Sequence, residues 1–296
     1  MIINDSIINL SEWGNFISNS FAIYKIAEEI VNKVHLKVKK ISRINIGTNA
    51  IFDLGNHILK VYATSETSDP FMDCRREIIL SNALRTSPYC VPEIIHTGYI
   101  NDRYTIYFII MKKIDGLYSF SNAISNESPW YATYLQELHR IIAYLHSLNL
   151  GKTTSTFFSK SIKNYDTEES EYADFLRKYI TRNPFTFGIV HGDLSESNIY
   201  INKNGIITLL DFEDWMYAPI FVEYPSICFE LLKSPKIIKD FFNDIPINNA
   251  IEMLIASVLL HHESERFLKI ILLQMGNTKA LPSICDLKLF FYRWLA

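Results

Sequence analysis

The hydrophobic pattern predicts mostly strands in the first part of the chain and helices in the rest. Residues 11–34 carry apolar side chains at helical spacing and predict a leading helix. Short apolar runs predict strands at 38–46, 50–54, 58–62 and 104–111. A helix is predicted over 75–84, between the third and the fourth of these strands. After Gly116 the spacing predicts helices at 131–148, 171–180 and 249–275, the last being the longest element. The order of elements therefore predicts an α+β fold.

The change from strands to helices divides the chain into two predicted lobes. Residues 1–111 form a mostly β amino-terminal lobe, in which the leading helix precedes an antiparallel sheet. Residues 112–116 form a hinge, and residues 117–296 form a mostly α carboxy-terminal lobe. Polar residues dominate from 151 to 170 and predict a loop or lid within the second lobe.

Composition and charge narrow the class of protein. The 296 residues are 48% hydrophobic and 21% charged, an ordinary balance for a globular protein. A formal net charge of -3 without basic runs gives no electrostatic footprint for nucleic acid or for an anionic membrane. The first residues do not resemble a signal peptide, and the four cysteines lack metal-ligand spacing. We therefore expect a cytoplasmic protein with reduced thiols and with neither a membrane nor a nucleic-acid partner.

One segment of the second lobe carries the chemistry. An apolar run ends in His191-Gly192-Asp193, and Asn198 opens the next apolar run five residues later. A turn at 202–205 then leads into a third apolar run that ends at Asp211. A hairpin of this kind places the Asn198 amide oxygen beside the Asp211 carboxylate. Both are hard oxygen ligands that suit Mg²⁺, and Asp193 is left to orient a nucleophile.

Each of these motifs alone has a plain structural explanation. A single His-Gly-Asp is usually a turn, and an Asp-Phe pair after a strand usually marks the end of that strand. The combination of Asp193, Asn198 and Asp211 at these spacings is much harder to meet by chance. It predicts a kinase centre, in which positioning and charge neutralisation supply most of the rate of phosphoryl transfer.

A kinase also needs a nucleotide site, and the first lobe contains candidates for it. Thr48 and Asn49 follow Gly47 between two predicted strands, where backbone N–H groups could face phosphate oxygens. Lys60 lies in an otherwise apolar strand, where a charge needs a partner, and Glu77 in the next helix can supply one. The alternative is that Lys60 reaches solvent from an edge strand and that Glu77 is a solvated charge.

At these residues the chain resembles the aminoglycoside phosphotransferase family of small-molecule kinases, which have a bilobal, protein-kinase-like fold. The resemblance spans nearly the full length and is most specific over residues 190–215. It implies that Asp193 is the catalytic base and that Asn198 and Asp211 bind Mg²⁺. The sequence Asp-Phe-Glu-Asp-Trp at 211–215 is similar to that of hygromycin-type antibiotic kinases.

The same resemblance implies a nucleotide-binding role for the first lobe. Lys60 and Glu77 would hold the α- and β-phosphates of the nucleotide. Met111 would guard the back of the base pocket, and the Lys112 carbonyl and the Ile114 amide would pair with adenine. The residues alone also fit a plain linker between the lobes at this point, and the two interpretations are compatible.

Several features differ from the protein-kinase pattern. The first lobe lacks a G-x-G-x-x-G motif, and the acidic-Pro pattern after the second metal-binding Asp is reduced to Ala218-Pro219, with Glu223 as the nearest acid. Ser195 stands where serine/threonine kinases carry a lysine, and the sequence contains no Ala-Pro-Glu segment. These differences disfavour a protein substrate.

The predicted reaction is transfer of the γ-phosphoryl group of ATP, with GTP left open, to a hydroxyl group of a small molecule. On the resemblance, the acceptor is an aminoglycoside or another antibiotic. A metabolic kinase acting on choline, homoserine or a thio-sugar is the alternative among kinases. A non-catalytic pseudokinase that serves as a binding module is the alternative outside them. The oligomeric state stays open.

Acceptor contacts are expected in the second lobe, where pockets of the family often bind polycations with acidic side chains. The candidates are Glu213, Asp214, Trp215, Glu230 and Glu263. From Met216 onward, however, eight acidic residues stand against eight basic ones. The sequence therefore does not predict a strongly anionic pocket. The Trp215 ring could stack on a sugar or a quaternary ammonium, or it could simply pack in the protein.

Overall fold

The computed structural model describes residues 2–3, 7–18, 20–44, 47–66, 68–125, 128–150, 170–276 and 281–296. The predicted loop or lid at 151–170 lies outside these residues, apart from Ser170. The chain divides into two compact units, Met1–Leu117 with Asn202–Asp214, and Tyr118–Ile201 with Trp215–Ala296. The segment Asn202–Asp214 thus packs with the first unit, whereas the sequence pattern assigns it to the second lobe.

The predicted α+β class is confirmed, with antiparallel strands in the first unit and mostly helices in the second. The described strands are β1 (Ser42–Ile44), β2 (Ala50–Asp53), β3 (His57–Val61), β4 (Ile94–Asn101), β5 (Thr105–Lys112), β6 (Tyr118–Ser119), β7 (Phe187–Val190), β8 (Ile199–Ile201), β9 (Ile207–Leu209) and β10 (Met216–Pro219). The described α-helices are α1 (Leu10–Ser18), α2 (Ser20–Lys33), α3 (Pro70–Leu84), α4 (Phe120–Ala123), α5 (Tyr131–Ser147), α6 (Glu171–Arg182), α7 (Tyr224–Ser226), α8 (Pro235–Phe241), α9 (Ile247–Leu260), α10 (Ser264–Gln274) and α11 (Ile284–Leu295).

A five-stranded antiparallel sheet, in the order β1-β2-β3-β5-β4, organises the first unit. The strand β3 carries Lys60 and pairs with β2 on one side and with β5 on the other. Lys60 is therefore not an edge-strand lysine, which removes the alternative explanation of its position. The hydrophobic pattern does not predict β4, because its apolar residues come in adjacent pairs rather than alternating and the strand lies at the sheet edge.

The helices α1 and α2 share one apolar cluster with the sheet. Trp13, Ile26, Phe52, Leu59 and Phe108 belong to it and are almost completely shielded from solvent. Burial of a leucine, isoleucine or phenylalanine in this way contributes about 1.5–3 kcal/mol each. Both helices thus turn apolar side chains toward the same core, as the helical spacing over 11–34 predicts, and Asn19 between them lies outside the described residues.

In the second unit, the helix α5 packs very closely on the strand β7. The side chains of Leu138 and Leu145 form the buried face of the helix, as the spacing predicts. On the strand side of the contact lies Gly188. A Cβ atom at this position would lie only 2.8 Å from the carbonyl oxygen of His146. Glycine is thus required here by the close approach of two backbones.

We expect Gly188→Ala to destabilise the protein by about 1–3 kcal/mol, because the added methyl group forces β7 and α5 apart. Gly14 in α1 is the matched control, since a Cβ atom there would meet nothing within 4 Å. Gly14→Ala should leave the stability unchanged or raise it by up to about 1 kcal/mol, because alanine favours the helix over glycine. Urea unfolding measures both variants, and equal stabilities would contradict the close α5–β7 contact.

The prediction of one helix over residues 249–275 is wrong. The helix α9 ends at Leu260, and α10 begins at Ser264. His261, between them, has φ -66° and ψ 145°, which is not helical. Apolar residues keep their helical spacing across this junction, so the hydrophobic pattern does not reveal it. The buried His261 ring occupies the junction and is described below.

The chain between β10 and α8 is helical but irregular. A 3-10 turn, Ile220–Glu223, precedes α7, and a π-helical turn, Ile227–Leu232, follows it. The π-helical turn ends at Lys233, which has a φ of 56°. Turns of this kind change the direction in which side chains leave a helix, and they are frequent near functional sites. None of the helices in the described part of the chain combines the length and apolar character that crossing a bilayer requires.

Candidate functional site

Lys60 is the centre of a group of charged side chains in the first unit. Its Nζ lies 2.6 Å from Glu77 Oε2, 2.5 Å from Asp211 Oδ1 and 2.9 Å from Glu213 Oε2. The strand β3 supplies the lysine, α3 supplies Glu77, and the segment after β9 supplies the other two carboxylates. We call these four residues the lysine cluster. It contains the Lys60–Glu77 contact that the sequence predicts.

Burial and charge act in opposite directions in the lysine cluster. Lys60 is 3% exposed, and burial alone would lower its pKa. The carboxylates of Asp211, Glu213 and Glu77 outweigh burial and hold the pKa of Lys60 well above its usual value. Burial raises the pKa of the Glu77 carboxyl, and Lys60 opposes that rise. The ammonium group therefore stays charged and can pair with an anionic ligand such as a phosphate.

The three carboxylates of the lysine cluster converge, and the Lys60 ammonium group lies between them. One oxygen from each of Glu77, Asp211 and Glu213 lies within 4.8 Å of the other two. Oxygen ligands of this kind are those that Mg²⁺ prefers. Asp211 has a φ of 61°, a strained conformation for a residue other than glycine, and its side chain is 41% exposed. Such strain is common at functional sites.

Asn49, a predicted phosphate contact, connects the loop after Gly47 to the lysine cluster. Its Nδ2 donates to both carboxylate oxygens of Glu213, at 2.7 and 2.9 Å, and its Oδ1 accepts from the Ala63 amide at 2.8 Å. The neighbouring Thr48 is exposed, and its carbonyl accepts a hydrogen bond from the Trp13 ring. Glu213 therefore lies with the predicted nucleotide-binding residues, although the sequence assigns it to the acceptor.

The three residues predicted to surround the base differ in their surroundings. Met111 is 9% exposed and packs in a small cluster with Tyr62 and Ile109. Lys112 is exposed, and both its side chain and its backbone amide bind Glu93, at 2.6 and 2.8 Å. Ile114 is half-buried in the segment after β5. Their contacts with a base stay predictions.

In the second unit, residues 191–198 form a turn after β7, which we call the Asp193 turn. Gly192 has a φ of 85°, which glycine adopts without strain. The Nδ2 of Asn198 donates to Asp193 Oδ2 at 2.8 Å and to the Asp193 carbonyl at 2.9 Å. Both partners are acceptors, so the amide nitrogen of Asn198 must face them. The Oδ1 of Asn198 consequently points away from Asp193, as a metal ligand would.

Glu223 holds the backbone of the Asp193 turn. Its carboxylate accepts hydrogen bonds from the His191 amide at 2.5 Å and from the Gly192 amide at 3.2 Å. Burial raises the pKa of Glu223 to about 7, the two amides act against the rise, and Asp193 adds to it. The sequence presents Glu223 only as the nearest acid after Ala218-Pro219. Its contact with the turn depends on the 3-10 turn that carries it.

We expect Glu223→Gln to remove part of the pH dependence of folding. A carboxyl whose pKa is higher in the folded state stabilises the fold below its unfolded value of 4.5. That contribution, on the order of 3 kcal/mol, is lost as the pH rises through about 7. Between pH 5 and pH 8 the unfolding free energy of the wild type should therefore fall more than that of the variant.

The matched control for this experiment is Glu265→Gln, which changes an exposed residue of α10. Urea unfolding at the two pH values gives both free energies. Glu223→Gln should also be less stable at pH 5 by about 1–3 kcal/mol, because one backbone amide then faces an NH₂ group instead of an acceptor. A variant that matched the wild type at both pH values would contradict the role of Glu223.

Glu230 and Glu263, two predicted acceptor contacts, share one arginine. Arg266 forms ion pairs with both carboxylates. Burial raises the pKa of Glu230 to about 7, Arg266 opposes the rise, and Asp193 adds to it. The influence of Asp193 on Glu230 and on Arg266 puts this group near the Asp193 turn. The Oε2 of Glu230 is buried and has no hydrogen-bond partner among the described residues.

The predicted metal ligands belong to different units. Asn198 lies in the second unit, whereas Asp211 lies in the first. The joint binding of Mg²⁺ by these two residues therefore stays a prediction. Asp214 and Trp215 are both half-buried, and the division between the units falls between them. Their contacts with an acceptor likewise stay predictions.

Phosphoryl transfer needs a charged lysine for the nucleotide, oxygen ligands for a metal and a carboxylate that can orient a hydroxyl group. The residues of the lysine cluster and of the Asp193 turn are of the types that these requirements call for, and the chain is a kinase in class. The sequence comparison gives the family, since residues 50–234 match the phosphotransferase enzyme family, APH. The match covers more than half of the chain, and the chain belongs to this family. It is a phosphotransferase with an alcohol group as acceptor.

Solved structures with the same fold cover most of the chain at low identity. The GDP complex of a mutant aminoglycoside 2'-phosphotransferase IIIa has a TM-score of 0.62 and 12% identity, covering 92% of this chain and 93% of that one. A thermostable mutant of aminoglycoside phosphotransferase APH(4)-Ia, in a ternary complex with ADP and hygromycin B, has a TM-score of 0.59 and 13% identity, covering 90% and 97%.

Kinases with other acceptors share the fold as well. Choline kinase LicA from Streptococcus pneumoniae has a TM-score of 0.58 and 13% identity, covering 92% of this chain and 97% of that one. Among curated proteins, no sequence matches this chain. At such identities the solved structures establish the fold, and the choice of acceptor has to be argued from the residues of this chain.

Proposed function

We propose that this protein transfers the γ-phosphoryl group of ATP to a hydroxyl group of an aminoglycoside or a related antibiotic. The observation that carries the proposal is the Asp193 turn, in which Glu223 holds the backbone and Asn198 holds the Asp193 side chain. A carboxylate fixed in this way orients a hydroxyl group and accepts its proton during transfer. A cytoplasmic location remains part of this proposal.

Each residue of the proposed site has a separate task. Asp193 binds the acceptor hydroxyl and takes its proton. Lys60, held by Glu77, donates hydrogen bonds to the phosphates of the nucleotide. Asn198 and Asp211 ligate Mg²⁺, which when bound neutralises the charge on the phosphate oxygens.

The nucleotide side of the proposal includes three further contacts. Glu213 stays beside Asp211 and Lys60, where Asn49 holds it in place. The Lys112 carbonyl and the Ile114 amide bind the edge of the base, as the family resemblance implies. We propose ATP as the donor and include GTP in the test, because one of the similar structures is a GDP complex.

Two observations support an aminoglycoside acceptor. Two of the similar structures are aminoglycoside phosphotransferases, and one of them is a complex with hygromycin B. In this chain, Glu230 and Glu263 supply carboxylates near Asp193 that can bind amino groups.

A small amino alcohol such as choline is the second candidate, and Arg266 is the observation that favours it. The guanidinium group pairs with Glu230 and with Glu263, which lowers the negative charge available to a polycation. An acceptor with a single positive charge needs fewer free carboxylates than an aminoglycoside does. The similarity to choline kinase LicA is consistent with this candidate.

The test is a panel of acceptors incubated with purified protein and Mg-ATP or Mg-GTP. Hygromycin B and kanamycin represent the aminoglycosides, choline represents the amino alcohols, and homoserine is a further metabolic acceptor. We expect ADP release with an aminoglycoside, together with a new phosphomonoester signal in the ³¹P NMR spectrum. Turnover with choline alone would select the second candidate.

The same experiment tests the alternative of a pseudokinase. Mg-ATP should raise the melting temperature of the protein, because a ligand that binds only the folded state stabilises it. If no acceptor releases ADP and Mg-ATP leaves the melting temperature unchanged, the proposed function fails and a non-catalytic binding module is favoured.

A further inference from the structure

His261 is buried at the junction between α9 and α10, and its ring makes two hydrogen bonds. Its Nε2 lies 3.1 Å from the Gly192 carbonyl oxygen, and its Nδ1 lies 3.1 Å from the backbone nitrogen of Glu263. The Ser226 hydroxyl is a weaker neighbour of Nε2 at 3.5 Å. The side chain is 3% exposed, and all of these groups belong to the second unit.

The two hydrogen bonds fix the tautomer of the ring. A backbone N–H can only donate, so the Nδ1 of His261 accepts from Glu263 and carries no proton. The proton of the neutral imidazole is then on Nε2, which donates to the Gly192 carbonyl. Burial lowers the pKa of His261 well below its usual value, and His262 acts in the same direction. The ring therefore stays neutral at physiological pH.

The hydrogen bond from His261 holds the peptide group between Gly192 and Asp193. This peptide is planar, so holding its carbonyl also fixes the direction of its N–H, which faces His191 Nδ1 at 3.4 Å. The preceding peptide is held by Glu223 through the Gly192 amide. Glycine has wide conformational freedom, so these hydrogen bonds, rather than steric limits, set the geometry of Gly192.

We propose that His261 is a positioning residue for phosphoryl transfer, because its Nε2–H orients the Gly192–Asp193 peptide and with it the Asp193 carboxylate. The inference rests on the proposed function, in which Asp193 acts on the acceptor hydroxyl. It adds a residue from the α9–α10 junction, which lies far along the chain from the motifs that predict the site. The same ring holds the Glu263 amide at the start of α10, so one side chain connects α10 to the Asp193 turn.

Two amide variants separate the two hydrogen bonds of the ring. In His261→Gln, the terminal NH₂ group reaches the position of Nε2 and can still donate to Gly192. In His261→Asn, the shorter side chain reaches only the position of Nδ1 and loses that donor. Both variants are polar and uncharged, and the melting temperature of each shows how much packing the shorter Asn side chain loses relative to Gln. His262→Asn, at the exposed neighbouring position, is the matched control.

We expect His261→Asn to lower kcat by about 10- to 100-fold, because small displacements of a reacting group cost rates of this order. The KM for ATP should change by less than about twofold, since the lysine cluster is untouched. His261→Gln should keep at least about a third of the wild-type kcat, and His262→Asn should match the wild type. In the Asp193→Asn background, His261→Asn should cause no further loss, because both changes act through the same carboxylate.

A purely structural role would give a different pattern. If the Gln and Asn variants lost kcat equally, or if each loss followed a fall in melting temperature, the positioning role would be wrong. NMR of protein labelled with ¹⁵N histidine tests the ring independently of turnover. We expect the signals of a neutral Nε2–H tautomer from pH 6 to pH 8. An Nδ1–H tautomer or an imidazolium would overturn the inference, whereas an inactive wild type would count against the proposed function alone.

Discussion

Asp193→Asn is expected to lower the rate of phosphoryl transfer by about 10²–10⁴-fold while leaving nucleotide binding nearly intact. The amide cannot accept the proton of the acceptor hydroxyl. Its oxygen can still accept the hydrogen bond from Asn198 Nδ2, so the Asp193 turn should keep its shape. Lys60 and Glu77 are unchanged in this variant. ADP release with the best acceptor measures the rate, and the thermal shift with Mg-ATP measures binding.

Asp174→Asn is the matched control, since it makes the same chemical change at an exposed position of α6. It should have the wild-type rate and the wild-type thermal shift. Retention of full activity by Asp193→Asn would show that the carboxylate is not the base. A loss of both activity and the thermal shift would instead indicate a wider collapse of the site.

Lys60→Met should weaken nucleotide binding and also destabilise the protein by about 3 kcal/mol or more at pH 8. The substitution removes the ammonium from a buried position and leaves Glu77, Asp211 and Glu213 without it. Glu77 is the most strongly affected of the three, because its side chain is 4% exposed. Urea unfolding and the thermal shift with Mg-ATP measure the two effects separately.

The destabilisation by Lys60→Met should depend on pH. Burial raises the pKa of Glu77, and removal of the opposing lysine raises it further. A carboxyl with a raised pKa in the folded state stabilises the fold while it is protonated, and this contribution is lost as the pH rises through that pKa. The variant should therefore be closer to the wild type at pH 5 than at pH 8.

The double variant Lys60→Met/Glu77→Gln is the matched test of this explanation. Its buried amide carries no charge, so part of the stability at pH 8 should return. Lys112→Met, at an exposed position, should have little effect at either pH. An equal loss of stability at both pH values, or no recovery in the double variant, would show that the unpaired Glu77 charge is not the cause.

The sequence predicts those features that depend on local pattern. The strands β3 and β5 and the helix α5 have strong apolar periodicity, and their observed bounds differ from the predicted ones by at most one residue. The Lys60–Glu77 contact is also foreseen, because a lysine in an apolar central strand needs a buried partner. These inferences use only residue type and spacing.

The remaining features depend on contacts between distant parts of the chain. Asn49 and Glu213 are hydrogen-bonded although 164 positions separate them. The sequence around either residue does not indicate this contact. The hydrophobic pattern does not reveal the break between α9 and α10 at His261, because apolar residues continue at helical spacing on both sides of it. Glu223 reaches the Asp193 turn from an irregular helical segment whose geometry has no clear sequence pattern. Such contacts form only when the chain folds, and no local pattern of residues indicates them.

The π-helical turn over Ile227–Leu232 has a consequence for how the acceptor side of the site could have arisen. A turn of this kind corresponds to one extra residue inserted into an α-helix. Losing that residue would allow a regular helix, but it would rotate everything after it by about 100° relative to what precedes it. Glu230, within the turn, would then no longer meet Arg266. Loss of one residue from this turn should therefore leave Arg266 with Glu263 alone and change the charge beside the Asp193 turn.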